Sequence, residues 1–369
     1  MTNVQKPNDL TAFKDLCFKL GFIMLIFFIS RIVCSLIITY INDSMADIIG
    51  GNTVYILHLA LSGVFLYLIP VIAAIGIFKD ENGQSVKAMY SRPPRLAKAL
   101  GNFPAMYGLG QLANFAFFGI VALIAWLQEL TMGEETLERS FGTMNSILPP
   151  NILTGVILFV HMVFAAAIFE ELLCRGIILS ALKPYGNGFA IVVSAFLFGI
   201  MHGNLHQFIY TFVLGLVLGY ITVQTGSILA ATILHAVFNA ISGVLMLFLS
   251  TETIQDWLLG NSAAQNAEAV ASDGTMLIFA GFVIYFVLLI SLIVAGIALA
   301  VRRLTKIKTY GTAAALKTNT DTVFKLVELS PWKKSLIFAK SIPVILMLLL
   351  TIDAFVGGLI AAAIYGWFK

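Results

Sequence analysis

The chain has 369 residues, of which 59% are hydrophobic and only 11% charged, with a formal net charge of +3 and a mean hydropathy of +0.95. A soluble globular protein carries roughly 25% charged residues, so lipid rather than water solvates most of this one. No basic, aromatic-interleaved patch lies outside the membrane loops, which excludes nucleic acid as a partner. Cys17, Cys34 and Cys174 are odd in number and lie in or beside apolar segments. They read as small hydrophobes rather than a disulfide or zinc framework.

In chain order, the polar N-terminal tail lacks a small-residue cleavage site, and no removable signal peptide is expected. Residues 8–19 alternate Leu10, Phe13 and Leu16 with Asp9, Lys14 and Asp15 and could form an interfacial helix. Nine apolar segments follow, at about 20–41, 55–78, 104–128, 151–182, 187–203, 207–224, 227–250, 276–301 and 341–368. Each is near the ~20 residues a helix needs to cross ~30 Å of hydrocarbon. The segment 151–182 is too long for a straight crossing and must tilt, kink or project. The fold class predicted is therefore all-α, a polytopic integral membrane bundle of about nine helices.

Basic residues set its orientation. Lys6, Lys14 and Lys19, then Lys79 to Lys98, then Lys183, then Arg302 to Lys340 alternate with loops 42–54 and 251–275, which have no Lys or Arg. Loop 129–150 has only Arg139 among four glutamates. The N-terminus is expected in the cytoplasm and the C-terminus outside. The chain divides into 1–128 (tail and three spans), 150–250 (four spans) and 276–369 (two spans joined by a basic cytoplasmic linker). No internal repeat of the transporter kind is visible.

Charges inside a membrane segment are expensive and mark function by default. The segment 151–182 carries Glu170-Glu171-x-x-x-Arg175, the next carries Phe198-x-x-x-His202, and the seventh carries His235-x-x-x-Asn239. Residues at i and i+4 share a helix face. Glu171 can therefore pair with Arg175 while Glu170 points elsewhere, His235 and Asn239 project together, and Phe198 stacks behind His202. At ~1.5 Å per residue, Glu170 lies about 20 Å from Lys183 and His202 about 22 Å from Asn187. On the same rise, His235 and Asn239 lie about 12 and 18 Å from Ser227. Four polar groups from three helices share one layer.

Such a layer supports hydrolysis. A glutamate in dry surroundings can serve as general base on a water held by a histidine, and His235 and Asn239 can donate to an oxyanion. A zinc ion held by Glu170, His202 and His235 is the alternative. The short histidine spacing of helical zinc peptidases is absent, so the metal-free route, with no cofactor, is preferred. The three motifs in this order resemble the CAAX protease and bacteriocin-processing (CPBP or ABI) family, whose best-known branch is the Ras-converting CAAX endopeptidase. The resemblance covers roughly 150–250. It implies an all-helical intramembrane peptidase, with Glu170 as catalytic base assisted by His202 and with Glu171 and Arg175 completing the first motif. It also implies His235 and Asn239 at the oxyanion, and a peptide or lipid-anchored protein as substrate. A bacterial cell membrane is the expected location, and an opening lateral or toward the cytoplasm is expected for the site.

Two other classes use a buried Glu/His layer: a transporter or channel binding an ion or proton, and a non-catalytic scaffold or immunity protein. Elsewhere, His58 and His161 read as satisfied core polar groups and His206 as a residue of the short outer turn. Arg31 and Asp353 are further intramembrane charges that could pair. Gly215 and Gly219 form a small-x-x-x-small packing face.

Overall fold

The computed structural model describes residues 10–78, 86–129, 149–259, 273–310 and 330–355, and all the regular structure among them is helical. Residues 311–329 of the basic linker, most of loop 129–150, the end of the last apolar segment and the side chains of His206 and Asp353 lie outside the described residues.

Helix α1 (Leu10–Ile49) is 40 residues long. At ~1.5 Å per residue it is about 60 Å, twice the hydrocarbon thickness. The stretch expected as a separate interfacial helix is its first three turns. Phe13 there is fully buried, with its ring 4.7 Å from that of Tyr185, and this packing holds the helix continuous. Helix α2 (Gly51–Ile77) follows, then α3 (Phe103–Glu129).

Helix α4 (Ile152–Tyr185) spans 34 residues. It opens on a capping box, with the Asn151 carboxamide accepting from the Thr154 backbone N–H and the Thr154 hydroxyl accepting from that of Asn151, each at 3.0 Å. Two wider, π-type stretches, His161–Ala166 and Leu172–Leu179, flank Ala167–Glu171. π-type turns occur mostly as short insertions at functional sites. Side chains from elsewhere bond α4 carbonyls in and beside these stretches. The Asn239 amide donates to Met162 O at 2.8 Å, the Tyr90 hydroxyl to Ile168 O at 3.0 Å, and the Ser194 hydroxyl to Cys174 O at 2.8 Å. In a hydrocarbon layer each such carbonyl must find a protein donor.

Helices α5 (Asn187–Met201), α6 (Leu205–Thr225) and α7 (Leu229–Leu249) complete the central group. Asn204 caps α6, its side chain accepting from Gln207 N at 2.7 Å. The small-residue face packs as expected: a Cβ at Gly215 would lie 2.9 Å from the Ala195 Cα, so only glycine allows α6 this close to α5. Helix α8 (Asp273–Tyr310) packs beside α3. Pro331–Ala339 (α9) meets α10 (Ile342–Phe355) at a 76° bend, and α10 lies along α1.

Among the described residues, six helices are long and apolar enough to cross a membrane, or seven if the bent pair counts as one. Helices occupy the described part of each of the nine expected segments, but α5 has only 15 residues. Leu277, Leu288 and Val294 on α8 are 74%, 64% and 63% exposed. Side chains so apolar and so exposed face lipid tails. The chain is a polytopic helical membrane protein.

Candidate active site

Glu171 is fully buried where α4, α6 and α7 meet. Its Oε1 accepts from Arg175 Nη1 at 2.9 Å and from His235 Nδ1 at 2.9 Å. The i, i+4 pair expected within α4 is thus formed. The histidine that joins it was expected to face the oxyanion, and nothing in the spacing of a single helix could have linked α7 to Glu171. Arg175 is also fully buried. Its Nη2 donates to Gly215 O at 3.3 Å, and its guanidinium carbon lies 4.4 Å above the centre of the Phe198 ring. Phe198 therefore packs behind both histidines, edge-on to His202 at 5.1 Å and to His235 at 5.6 Å. It also screens a buried cation.

Glu170 faces a different way, as the helix spacing required. Its Oε2 is 3.8 Å from His235 Nε2, too long for a hydrogen bond and suited to a bridging water. Glu170 also lines a cavity of about 460 Å³, together with His202. His202 Nδ1 lies 3.0 Å from Phe198 O. A carbonyl only accepts, so Nδ1 carries the proton and Nε2 keeps a free lone pair.

The cavity extends from Glu170 toward the end of the bundle where α1 finishes, α2 begins and α5 turns into α6. This is the end opposite Lys183 and the α4–α5 turn. Arg31 on α1, and His58 and Tyr67 on α2, line it. Sequence reasoning had set His58 aside as a core residue and offered Arg31 only a pairing with Asp353, whose side chain lies outside the described residues. The one signal available was that Arg31 is a charge within an apolar span.

Asn239 does not line this cavity, and its amide is committed to Met162 O on α4. Met162 is eight residues, about 12 Å of helix, from Glu170. The structure therefore brings Glu170, Glu171, Arg175 and His235 into one cluster, puts His202 on the shared cavity, and leaves Asn239 one turn of α7 beyond His235, against Met162. Among the described residues, no group of three or more His, Cys, Asp or Glu side chains is arranged to hold a metal. His235 gives Nδ1 to Glu171, which leaves its Nε2 facing Glu170.

A polytopic helical membrane protein with two adjacent carboxylates, an arginine and two histidines converging beneath a cavity has the elements of an intramembrane hydrolase. Residues 152–241, the segment that supplies every one of these groups, match the family model described as Rce1-like, type II CAAX prenyl endopeptidase. The match agrees with the resemblance read from the three motifs and covers the central helices rather than the whole chain. No curated protein and no solved structure shows significant similarity to it.

Proposed function

We propose that the protein is an intramembrane endopeptidase in which Glu170, with His202, activates water for attack on a peptide carbonyl. The observation that carries this reading is the buried cluster in which His235 is held by Glu171 on one nitrogen and faces Glu170 on the other. Glu171 and Arg175 cancel in charge. Glu170 and His235 cancel when His235 carries the second proton, so the whole set can be neutral in a medium that penalises net charge. In that state Glu170 is a carboxylate and His235 Nε2 is an N–H donor.

The chemistry follows from those two groups. Water, oriented by the lone pair on His202 Nε2, gives a proton to Glu170 as its oxygen bonds to the carbonyl carbon. His235 Nε2–H stabilises the resulting oxyanion. Glu170 then passes the proton to the departing amine as the C–N bond breaks, leaving an acid and an amine. Asn239 can join the oxyanion site only if its bond to Met162 O opens. Glu171 and Arg175 orient His235 and carry no proton.

The substrate is a peptide or lipid-anchored protein, as in CAAX-type C-terminal processing or the maturation of a bacterial precursor. Nine crossings, a cytoplasmic N-terminus and an outside C-terminus, in a bacterial cell membrane, remain the preferred topology. On that topology the cavity faces away from the cytoplasm, so of the lateral and cytoplasmic openings expected from sequence the cytoplasmic one is set aside. A precursor at the outer leaflet suits it better than a cytoplasmic one.

The test is turnover by purified protein on prenylated and unprenylated peptides, with Glu170→Ala and Glu171→Ala alongside, with and without a zinc chelator. Cleavage lost in Glu170→Ala and indifferent to chelation is expected. Cleavage lost on chelation and restored by zinc would replace this mechanism with a metal-dependent one. A folded wild type that cleaves nothing would favour the scaffold reading.

A further inference from the structure

Tyr67, on α2, lines the cavity and is not used by the proposed chemistry. It stands in a third widened stretch, Gly63–Leu68, which packs against both His161–Ala166 and Ala167–Glu171 of α4. Such turns occur mostly at functional sites, and here two helices place theirs against one another. The Tyr67 ring lies parallel to that of Phe169, the residue before Glu170, with centroids 6.0 Å apart. Its centroid is 5.3 Å from that of the His161 ring. Depth agrees with these contacts. The first turns of α2 and α4 pack together, and Tyr67 stands sixteen residues into α2 while Glu170 stands eighteen into α4, about 24 and 27 Å along their axes.

At that depth the expected oxyanion site is short of donors. Asn239 is committed to Met162 O. His235 is 3% exposed, does not line the cavity, and points its Nε2 at Glu170. Donors held ready for developing charge are worth most where water is excluded, and a tyrosine hydroxyl serves as one. A phenol keeps its proton at neutral pH. The other hydroxyls on the cavity fit the role less well. Ser62 gives its proton to His58 O at 2.7 Å, and Ser35 and Thr39 stand one and two turns of α1 beyond Arg31, toward the mouth.

We propose that Tyr67 is a further catalytic residue, whose hydroxyl donates a hydrogen bond to the oxyanion of the tetrahedral intermediate alongside His235 Nε2–H. This rests on the peptidase reading. Tyr67 keeps its proton throughout: the proton of the attacking water goes to Glu170 and then to the departing amine. The phenolic hydrogen bond strengthens as the carbonyl oxygen gains charge and weakens as the C–N bond breaks and the carbonyl re-forms. Tyr67 lies outside residues 152–241, the segment that matches the family model, so the three motifs do not point to it.

The experiment is steady-state kinetics of the full chain in nanodiscs, on a peptide of the panel that the wild type cleaves, with Tyr67→Phe and Ser62→Ala alongside. Tyr67→Phe keeps the ring on Phe169 and removes only the hydroxyl, so its thermal midpoint should match that of wild type. Its kcat is expected to fall by ~10²-fold or more at unchanged KM, as for a donor engaged only in the transition state. A phosphinate analogue of the same peptide, with a charged tetrahedral centre in place of the scissile carbonyl, should lose affinity by a similar factor. Ser62→Ala should keep kcat within ~3-fold. An unchanged kcat in Tyr67→Phe, a loss carried by KM, or an equal loss in Ser62→Ala would each overturn the assignment. So would an acid limb of kcat/KM displaced in Tyr67→Phe, which would put the hydroxyl on the Glu170 carboxylate instead. Should Tyr67→Phe lose stability, the ratio of phosphinate to substrate affinity in the folded fraction carries the test. A fall of ~10-fold or more supports the assignment and an unchanged ratio defeats it. A wild type that cleaves no peptide removes the peptidase reading and this assignment with it, whereas equally fast cleavage by Tyr67→Phe removes the assignment alone.

Discussion

Replacing Arg175 by methionine removes three interactions at once. Glu171 loses a charge-assisted hydrogen bond of 2.9 Å, Gly215 O loses its donor, and the Phe198 ring loses a desolvated cation 4.4 Å away. Glu171 is left as a buried carboxylate with His235 as its remaining partner. Breaking a buried pair by removing one member costs about 3–5 kcal/mol. The partial compensation by His235 places Arg175→Met near the lower end, at about 3 kcal/mol. Glu171→Leu alone strands both Arg175 and His235 and should cost at least as much. The double variant removes both charges together and fills the space with apolar groups, a change that is often neutral or stabilising. A double-mutant cycle by unfolding titration in mixed micelles should therefore show a coupling of at least ~2 kcal/mol, with the double variant less damaged than the sum of the singles. Additivity within about 0.5 kcal/mol, the behaviour of independent sites, would refute the claim that the pair is an electrostatic unit.

Glu170→Gln should abolish turnover while shifting stability by less than about 1 kcal/mol, since Glu170 borders the cavity and among the described residues makes no short hydrogen bond; a large stability loss measured in the same titration would make it structural. Asn239→Ala should cost about 1–3 kcal/mol by orphaning Met162 O. Loss of kcat by ~10²-fold or more, at unchanged KM in steady-state kinetics, would show that Asn239 also reaches the oxyanion. Ser194→Ala removes the 2.8 Å bond to Cys174 O inside the second widened stretch and should destabilise by about 1–3 kcal/mol. Restoration of the hydroxyl in Ser194→Thr is the check. Incubation with a zinc chelator should leave both turnover and thermal midpoint unchanged, and a fall in either on chelation would bring Glu170, His202 and His235 back as ligands.

Helical class and the placing of the apolar segments follow from hydropathy, because in lipid backbone groups must be satisfied inside the protein and a helix satisfies nearly all of its own. The spacing of Glu171 and Arg175 determined their pairing for the same reason: i and i+4 are neighbours on any helix, and the widened turns between them did not separate them. The direction of Glu170, away from that pair, was equally legible. The three motifs pointed to one segment of the chain, and the family match falls on it.

Tertiary packing decided the rest. That His235 meets Glu171 with one nitrogen and faces Glu170 with the other depends on the rotation and height of α7 against α4. Those are set by contacts such as Asn239 with Met162 O, between residues 77 positions apart. Phe13 is buried rather than interfacial because Tyr185 happens to stand opposite it. The contribution of Arg31 and His58 to the cavity depends on α1 and α2 closing over α4 and α5, well outside the stretch that carries the motifs. Periodicity within one helix constrains which residues share a face. It contains no information about which other helix that face will meet.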